Sequence, residues 1–104
     1  IYTLEFVGSA DVYKRQPLDN RAIWLEIFAG GIHKGNSCQT LLKKLNINCK
    51  EVAGLGNDYN DIDFLDICAE AYLVANAPVN LQRHYKLVKS DKEEGFTEFI
   101  SKVL

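Results

Sequence analysis

Ala71-Tyr72-Leu73-Val74-Ala75 is an unbroken apolar run, closed by Asn76-Ala77-Pro78. A run with no polar alternation reads as a strand covered on both faces, the kind found inside parallel sheets. Upstream, Glu51-Val52-Ala53-Gly54-Leu55-Gly56 reads as a short strand leading into a polar loop, Asn57-Asp58-Tyr59-Asn60-Asp61. A helix follows, with Ile62, Leu65 and Ala69 on one face. Further upstream, Cys38, Leu41, Leu42 and Leu45 fall at i, i+3, i+4 and i+7, one apolar helical stripe. Asn36 or Ser37 can cap its start, and Lys43 and Lys44 lie off the stripe as a solvated face.

Ala22 to Phe28 is rich in β-branched, aromatic and aliphatic residues and ends at Gly30-Gly31, a strand and a turn. Downstream of the central run, Val79 to His84 suggests a short helix and Tyr85 to Val88 a short strand. Phe96, Phe99, Ile100 and Val103 repeat at helical spacing, with Ser90 or Asp91 as the cap. Gly95, early in that helix, costs about 1 kcal/mol against Ala. Strands alternating with helices around a buried central run predict an α/β fold: a Rossmann-like, mostly parallel sheet with flanking helices. Ligands of such sheets sit beyond the carboxyl ends of the strands, where the 57–61 loop and the Asn76 turn both fall.

The first sixteen residues read differently. Ile1 to Val7 alternates as a strand does. Asp11-Val12-Tyr13-Lys14-Arg15-Gln16 matches one reading frame of the end sequence used in transposase-based sequencing libraries. Residues 1–16 are therefore read as a junction or non-native segment, against the alternative of an ordinary polar loop.

The 104 residues suit one small domain or part of a larger one. With 47% hydrophobic and 25% charged residues, the chain is neither a disordered polymer nor a rod. A net charge of −2 argues against a broad nucleic-acid footprint. No apolar run approaches the roughly 20 residues that span a bilayer, and no signal peptide is visible. Cys38, Cys49 and Cys68 form no CxxC pair, so they read as free thiols of a reducing, cytoplasmic setting rather than as a disulfide framework or zinc site.

Three polar clusters can carry chemistry. Asn57, Asp58, Asn60 and Asp61 supply two carboxylates and two amides, the oxygen donors that a hard cation such as Mg²⁺ takes. The same residues can instead cap the helix that follows. Lys34, just before a helix, can reach a phosphate as a point charge or be an ordinary surface lysine. His33 beside it reads as a solvated loop residue. Asn76 either lines the same crevice or ends its strand.

Taken together and in order, His33-Lys34-Gly35, Gly56-Asn57-Asp58-Tyr59-Asn60-Asp61 with Phe64-Leu65, Ala75-Asn76-Ala77 and Gly95-Phe96 resemble the C-terminal half of a haloacid-dehalogenase-like phosphatase core. The similarity covers about residues 22–104 and is greatest to the branch with a large α/β cap, which includes Cof-type and sucrose-phosphatase-like enzymes. The resemblance implies Mg²⁺-dependent hydrolysis of a small phosphate ester, such as a sugar phosphate, through an aspartyl nucleophile in a DxDxT motif. It implies that Lys34 is catalytic and, with Asn60 and Asn76, binds substrate. It also implies that Asn57, Asp58 and Asp61 hold the metal. Asn57 stands where the family has its first acidic residue.

No DxDxT sequence occurs in these 104 residues. The resemblance therefore implies a fragment, inactive by itself, with residues 17–30 a remnant of the cap and residues 31–104 the C-terminal half of the core. Two other readings stay open. One is a non-catalytic α/β binding or interaction module; the other is a metal-binding receiver-like domain, which would need a phosphoacceptor acid after a strand. Substrate identity and oligomeric state are not legible.

Overall fold

The computed structural model describes residues 10–15 and 24–104. The strand expected at residues 1–7 lies outside them. The elements are β1 (Ala10–Arg15), β2 (Trp24–Ala29), α1 (Lys34–Leu45), β3 (Ala53–Gly56), α2 (Ile62–Leu65), β4 (Glu70–Val74), α3 (Val79–Gln82), β5 (Lys86–Val88) and α4 (Gly95–Val103). Short 3₁₀ turns at Cys49–Glu51, Tyr59–Asp61 and Asp91–Glu93 join them.

β4 is the centre of a three-stranded sheet in the order β3-β4-β5, parallel on both sides. That agrees with the apolar run: Tyr72, Leu73 and Val74 are all buried, and Leu73 is fully so. The α/β class, with parallel strands and flanking helices, is as the sequence predicts. Strand registry explains the layers. Gly54 and Gly56 of β3 pair with Ala71 and Leu73, which share one face. Leu65 of α2 packs there, its side chain against both glycines. Tyr72 and Val74 point to the other face, where Phe99 of α4 meets the Tyr72 ring edge-on at 5.4 Å. Leu81 and Val88 complete the core. Each such fully buried aliphatic side chain contributes about 1.5–3 kcal/mol.

At the amino-terminal edge of the sheet, Glu70 accepts hydrogen bonds from Lys86 at 2.9 Å and from the Tyr72 hydroxyl at 2.8 Å. These bonds, Lys86 first, hold the Glu70 carboxyl below its ordinary range. Burial, together with a hydrogen bond to Asp66, pushes the Tyr85 hydroxyl up to about 12.

β1 and β2 form a separate antiparallel pair, running from Ala10 opposite Ala29 to Arg15 opposite Trp24. Residues 11–15 are therefore strand, not the polar loop that their charges suggest.

Several local expectations are corrected. The helix expected to include Ala69 ends at Leu65, because the Ala69 N–H donates to Val52 O and has already joined the approach to β4. Asn36 and Ser37 lie inside α1, and the capping residue is His33. Of the apolar stripe on α1, Cys38 and Leu42 are half-buried, whereas Leu41 and Leu45 are 54% and 56% exposed. α4 begins after Glu94, in left-handed conformation, rather than at Ser90 or Asp91; Ser90 instead precedes the 3₁₀ turn. The three cysteines are free. Burial raises the Cys68 thiol above its ordinary range.

Candidate functional site at the carboxyl edge of the sheet

β3 ends at Gly56, and the next five residues turn back over the end of their own strand. Gly56 permits this: a Cβ there would lie 2.8 Å from both Asp61 Cβ and a Leu65 methyl. Asp61 is thereby tucked in, 3% exposed, the one buried charged residue among those described. Burying a carboxylate is costly unless its oxygens find donors. Both do. Oδ2 accepts from the backbone N–H groups of Asn57, at 2.7 Å, and Asp58, at 3.2 Å. Oδ1 accepts from the Lys34 ammonium in a close ion pair.

Lys34 sits at the first position of α1, 27 residues before Asp61 in sequence. Its ammonium also donates to Asn60 Oδ1 at 3.4 Å, and the lysine side chain as a whole is about half exposed. The cation is thus held at its inner side by Asp61 and open to solvent at its outer side. An anion approaching the sheet edge would meet a fixed ammonium together with the Asn60 amide.

Asp58 has a second task. Its carboxylate accepts from Tyr59 N–H at 2.7 Å and forms a reciprocal capping box with Asp61 around the 3₁₀ turn. The capping here is of the 3₁₀ turn, not of α2 itself, whose preceding residue Asp61 makes no side-chain cap to it; the same capping fixes where the loop's oxygens point. Tyr59 extends the framework by donating to Asn80 Oδ1 at 2.6 Å, which ties the loop to α3. Gln82 donates to the carbonyls of Ala75 and Ala77, at 3.0 and 2.7 Å, and so fastens the turn after β4.

Of the residues singled out by sequence, Lys34, Asn60 and Asp61 meet directly. Asp58 and Asn57 join them through backbone N–H groups, with Asn57 exposed. The Asn76 side chain is engaged elsewhere. Its amide donates to Asp91 at 2.8 Å and accepts from Asp91 N–H at 3.3 Å. Sequence reasoning alone gives Gly56, Tyr59 and His33 no role in the site. The glycine at a strand end was the legible hint, since it marks close approach of something over the backbone.

The donors around the loop are all oxygen: the Asn57 amide and the Asp58 and Asp61 carboxylates. Among the described residues no three His, Cys, Asp or Glu side chains are gathered for a metal ion. Magnesium commonly takes only one or two protein carboxylates, filling its shell with water and phosphate oxygens. The donor chemistry fits such an ion.

The sequence profile of the haloacid dehalogenase-like hydrolases matches residues 11–100. A candidate phosphatase of Buchnera aphidicola is 26% identical over 82 residues, which are 76% of this chain and 30% of that protein. A haloacid dehalogenase-like hydrolase from Bacteroides thetaiotaomicron superposes with a TM-score of 0.74 at 23% identity, over 91% of this chain and 34% of that one. The cobalt-bound deoxy-D-mannose-octulosonate 8-phosphate phosphatase of Haemophilus influenzae gives 0.64 at 23% identity, over 74% of this chain and 46% of that one. At these identities the two structural likenesses speak to the fold. The chain spans about a third of the length of the first two relatives.

Proposed function

Because the chain belongs to the haloacid dehalogenase-like hydrolase family, we propose that it contributes the lysine and the metal-binding loop of a Mg²⁺-dependent phosphatase acting on a small soluble phosphate ester, such as a sugar phosphate. The observation that carries this reading is the pairing of the ammonium of Lys34, a half-exposed side chain, with buried Asp61, beside an oxygen-rich loop at the carboxyl edge of a parallel sheet. The cobalt-bound phosphatase among the structural relatives supports a divalent ion.

The physical logic is charge neutralisation. A phosphate dianion approaching a carboxylate nucleophile is repelled unless cations intervene. Lys34 supplies a fixed positive charge and binds the phosphate; Asn60, in contact with it, supplies an amide. Asp61 keeps the ammonium aimed and holds the loop closed. Asn57 and Asp58, with Asp61, would hold Mg²⁺, which when bound offsets phosphate charge. Asn76 follows the neighbouring strand and is assigned to substrate, released from Asp91 when substrate enters. The attacking Asp belongs to a segment outside these 104 residues, so this stretch alone is proposed not to turn over.

We assign residues 31–104 to the C-terminal half of the core and 17–30 to a cap remnant. The separation of the β1–β2 pair from the parallel sheet supports that division. Residues 1–16 keep their reading as a junction, although β1 lies within them. No helix of the described residues is long and apolar enough to cross a membrane, and we place the protein in the cytoplasm.

The test is phosphate release by the whole protein from an aryl phosphate and a panel of sugar phosphates. Turnover that disappears on chelation and returns with Mg²⁺ is expected. Absence of turnover across the panel would point instead to a non-catalytic binding module.

A further inference from the structure

His33 precedes α1 in extended conformation and is its capping residue: Nδ1 accepts from the Asn36 N–H at 3.3 Å. The same Nδ1 lies 3.5 Å from Asp63 Oδ2, at the start of α2, with the imidazole only 23% exposed. On the other side of Lys34, Gly35 is buried directly against the same residue. A Cβ on Gly35 would lie 2.8 Å from Asp63 O and 2.9 Å from Asp63 Cβ. Lys34 is therefore flanked, at positions 33 and 35, by two contacts with residue 63. Residue 63 is two positions along the chain from Asp61, the carboxylate that the ammonium meets.

We propose that His33 is a positioning residue for Lys34: by capping α1, whose Gly35 is seated against Asp63, it fixes the start of the helix against the 57–63 segment, so that the ammonium lands on Asp61. The value of this placement for phosphate chemistry rests on the function proposed above. A lysine side chain has four rotatable bonds, and its head group is well placed only if its backbone origin is fixed. His33 does not touch the phosphate site itself; it acts through the backbone on which Lys34 stands.

The test reads Lys34 without any turnover. The 104-residue chain is treated with a limiting amine-acetylating reagent, and the labelling of Lys34 is compared, in the same molecules, with that of exposed Lys43. In the unaltered chain Lys34, engaged by Asp61 and Asn60, is expected to be the less labelled of the two. His33→Ala is expected to raise the Lys34:Lys43 ratio about fivefold, the equivalent of one lost cap. His33→Asn, which restores a side-chain acceptor for the Asn36 N–H, is expected to bring the ratio back to within about twofold of the unaltered chain. Amide exchange in His33→Ala should quicken in the first turn of α1 and not at Leu41–Leu45.

An unchanged ratio in His33→Ala overturns the proposal, as does His33→Asn behaving like His33→Ala. Exchange quickened equally along all of α1 also overturns it, since that is general loosening of the helix. The expected labelling in a chain whose whole protein releases no phosphate would uphold the positioning role and count against the phosphatase reading alone.

Discussion

Replacing Lys34 or Asp61 by alanine in the whole protein is expected to lower phosphate-ester turnover by about a hundredfold or more, the loss of roughly 3 kcal/mol of transition-state stabilisation. The two substitutions reach that loss by different routes. Lys34→Ala removes the cation and leaves a buried carboxylate with only its two backbone donors. Asp61→Ala removes the acceptor that closes the loop onto Asn57 and Asp58 and the anchor that aims the ammonium. Asp61→Ala should therefore also raise the Mg²⁺ concentration needed for half-maximal rate, whereas Lys34→Ala should chiefly weaken phosphate handling. Lys43 is exposed and off the site, and Lys43→Ala should leave turnover unchanged. Rates measured across a Mg²⁺ titration separate these cases. Near-native turnover in both the Lys34 and Asp61 variants would refute the assignment.

The largest effect on stability is expected at Gly95. A Cβ there would lie 2.0 Å from Lys89 O, 2.9 Å from Lys89 C and 3.0 Å from Ser90 O, all backbone atoms that no rotamer change can move aside. The Gly95 N–H donates to Ser90 O at 2.9 Å, so α4 starts hard against the segment leaving β5. Gly95→Ala must therefore lift α4, carrying Phe99 away from Tyr72 and opening the core on that face. About 3 kcal/mol or more of destabilisation is expected, the upper range for overpacking. Equilibrium urea unfolding of the 104-residue chain measures it; a loss below about 0.5 kcal/mol, typical of surface changes, would show that the corner yields. Helix propensity points the other way, since Ala is the better helix former by about 1 kcal/mol. The close approach outweighs it. The left-handed residue at this corner is Glu94, with φ of 64°, not the glycine next to it.

This corner illustrates what local pattern does and does not carry. The Ala71–Ala75 run predicts a central strand because burial on both faces removes any need for alternation. The neighbouring strands and the helical periods at 38–45 and 96–103 follow from the same arithmetic. The loop after Gly56 is legible as oxygen-rich, and Lys34 as a lysine before a helix. Their meeting depends on packing α1 against α2 across 27 residues of sequence, which no local window contains.

Leu41 and Leu45 obey helical periodicity and are still exposed, because periodicity states which residues share a face and not what lies opposite it. His33 was masked by better capping residues three and four positions later. Ranking by residue type cannot see that the helix begins at Lys34. Asn76 follows a strand end, which a local window shows, while its engagement by Asp91 belongs to a contact fifteen residues away.

The central claim is that Lys34 is the cation that meets phosphate. Calorimetric binding of inorganic phosphate to the whole protein in saturating Mg²⁺ tests it without depending on turnover. Lys34→Ala is expected to weaken phosphate binding at least about tenfold, the loss of one charge-assisted hydrogen bond, and Lys43→Ala to change it by less than about twofold. Equal affinities in the unaltered protein and in Lys34→Ala would contradict the account.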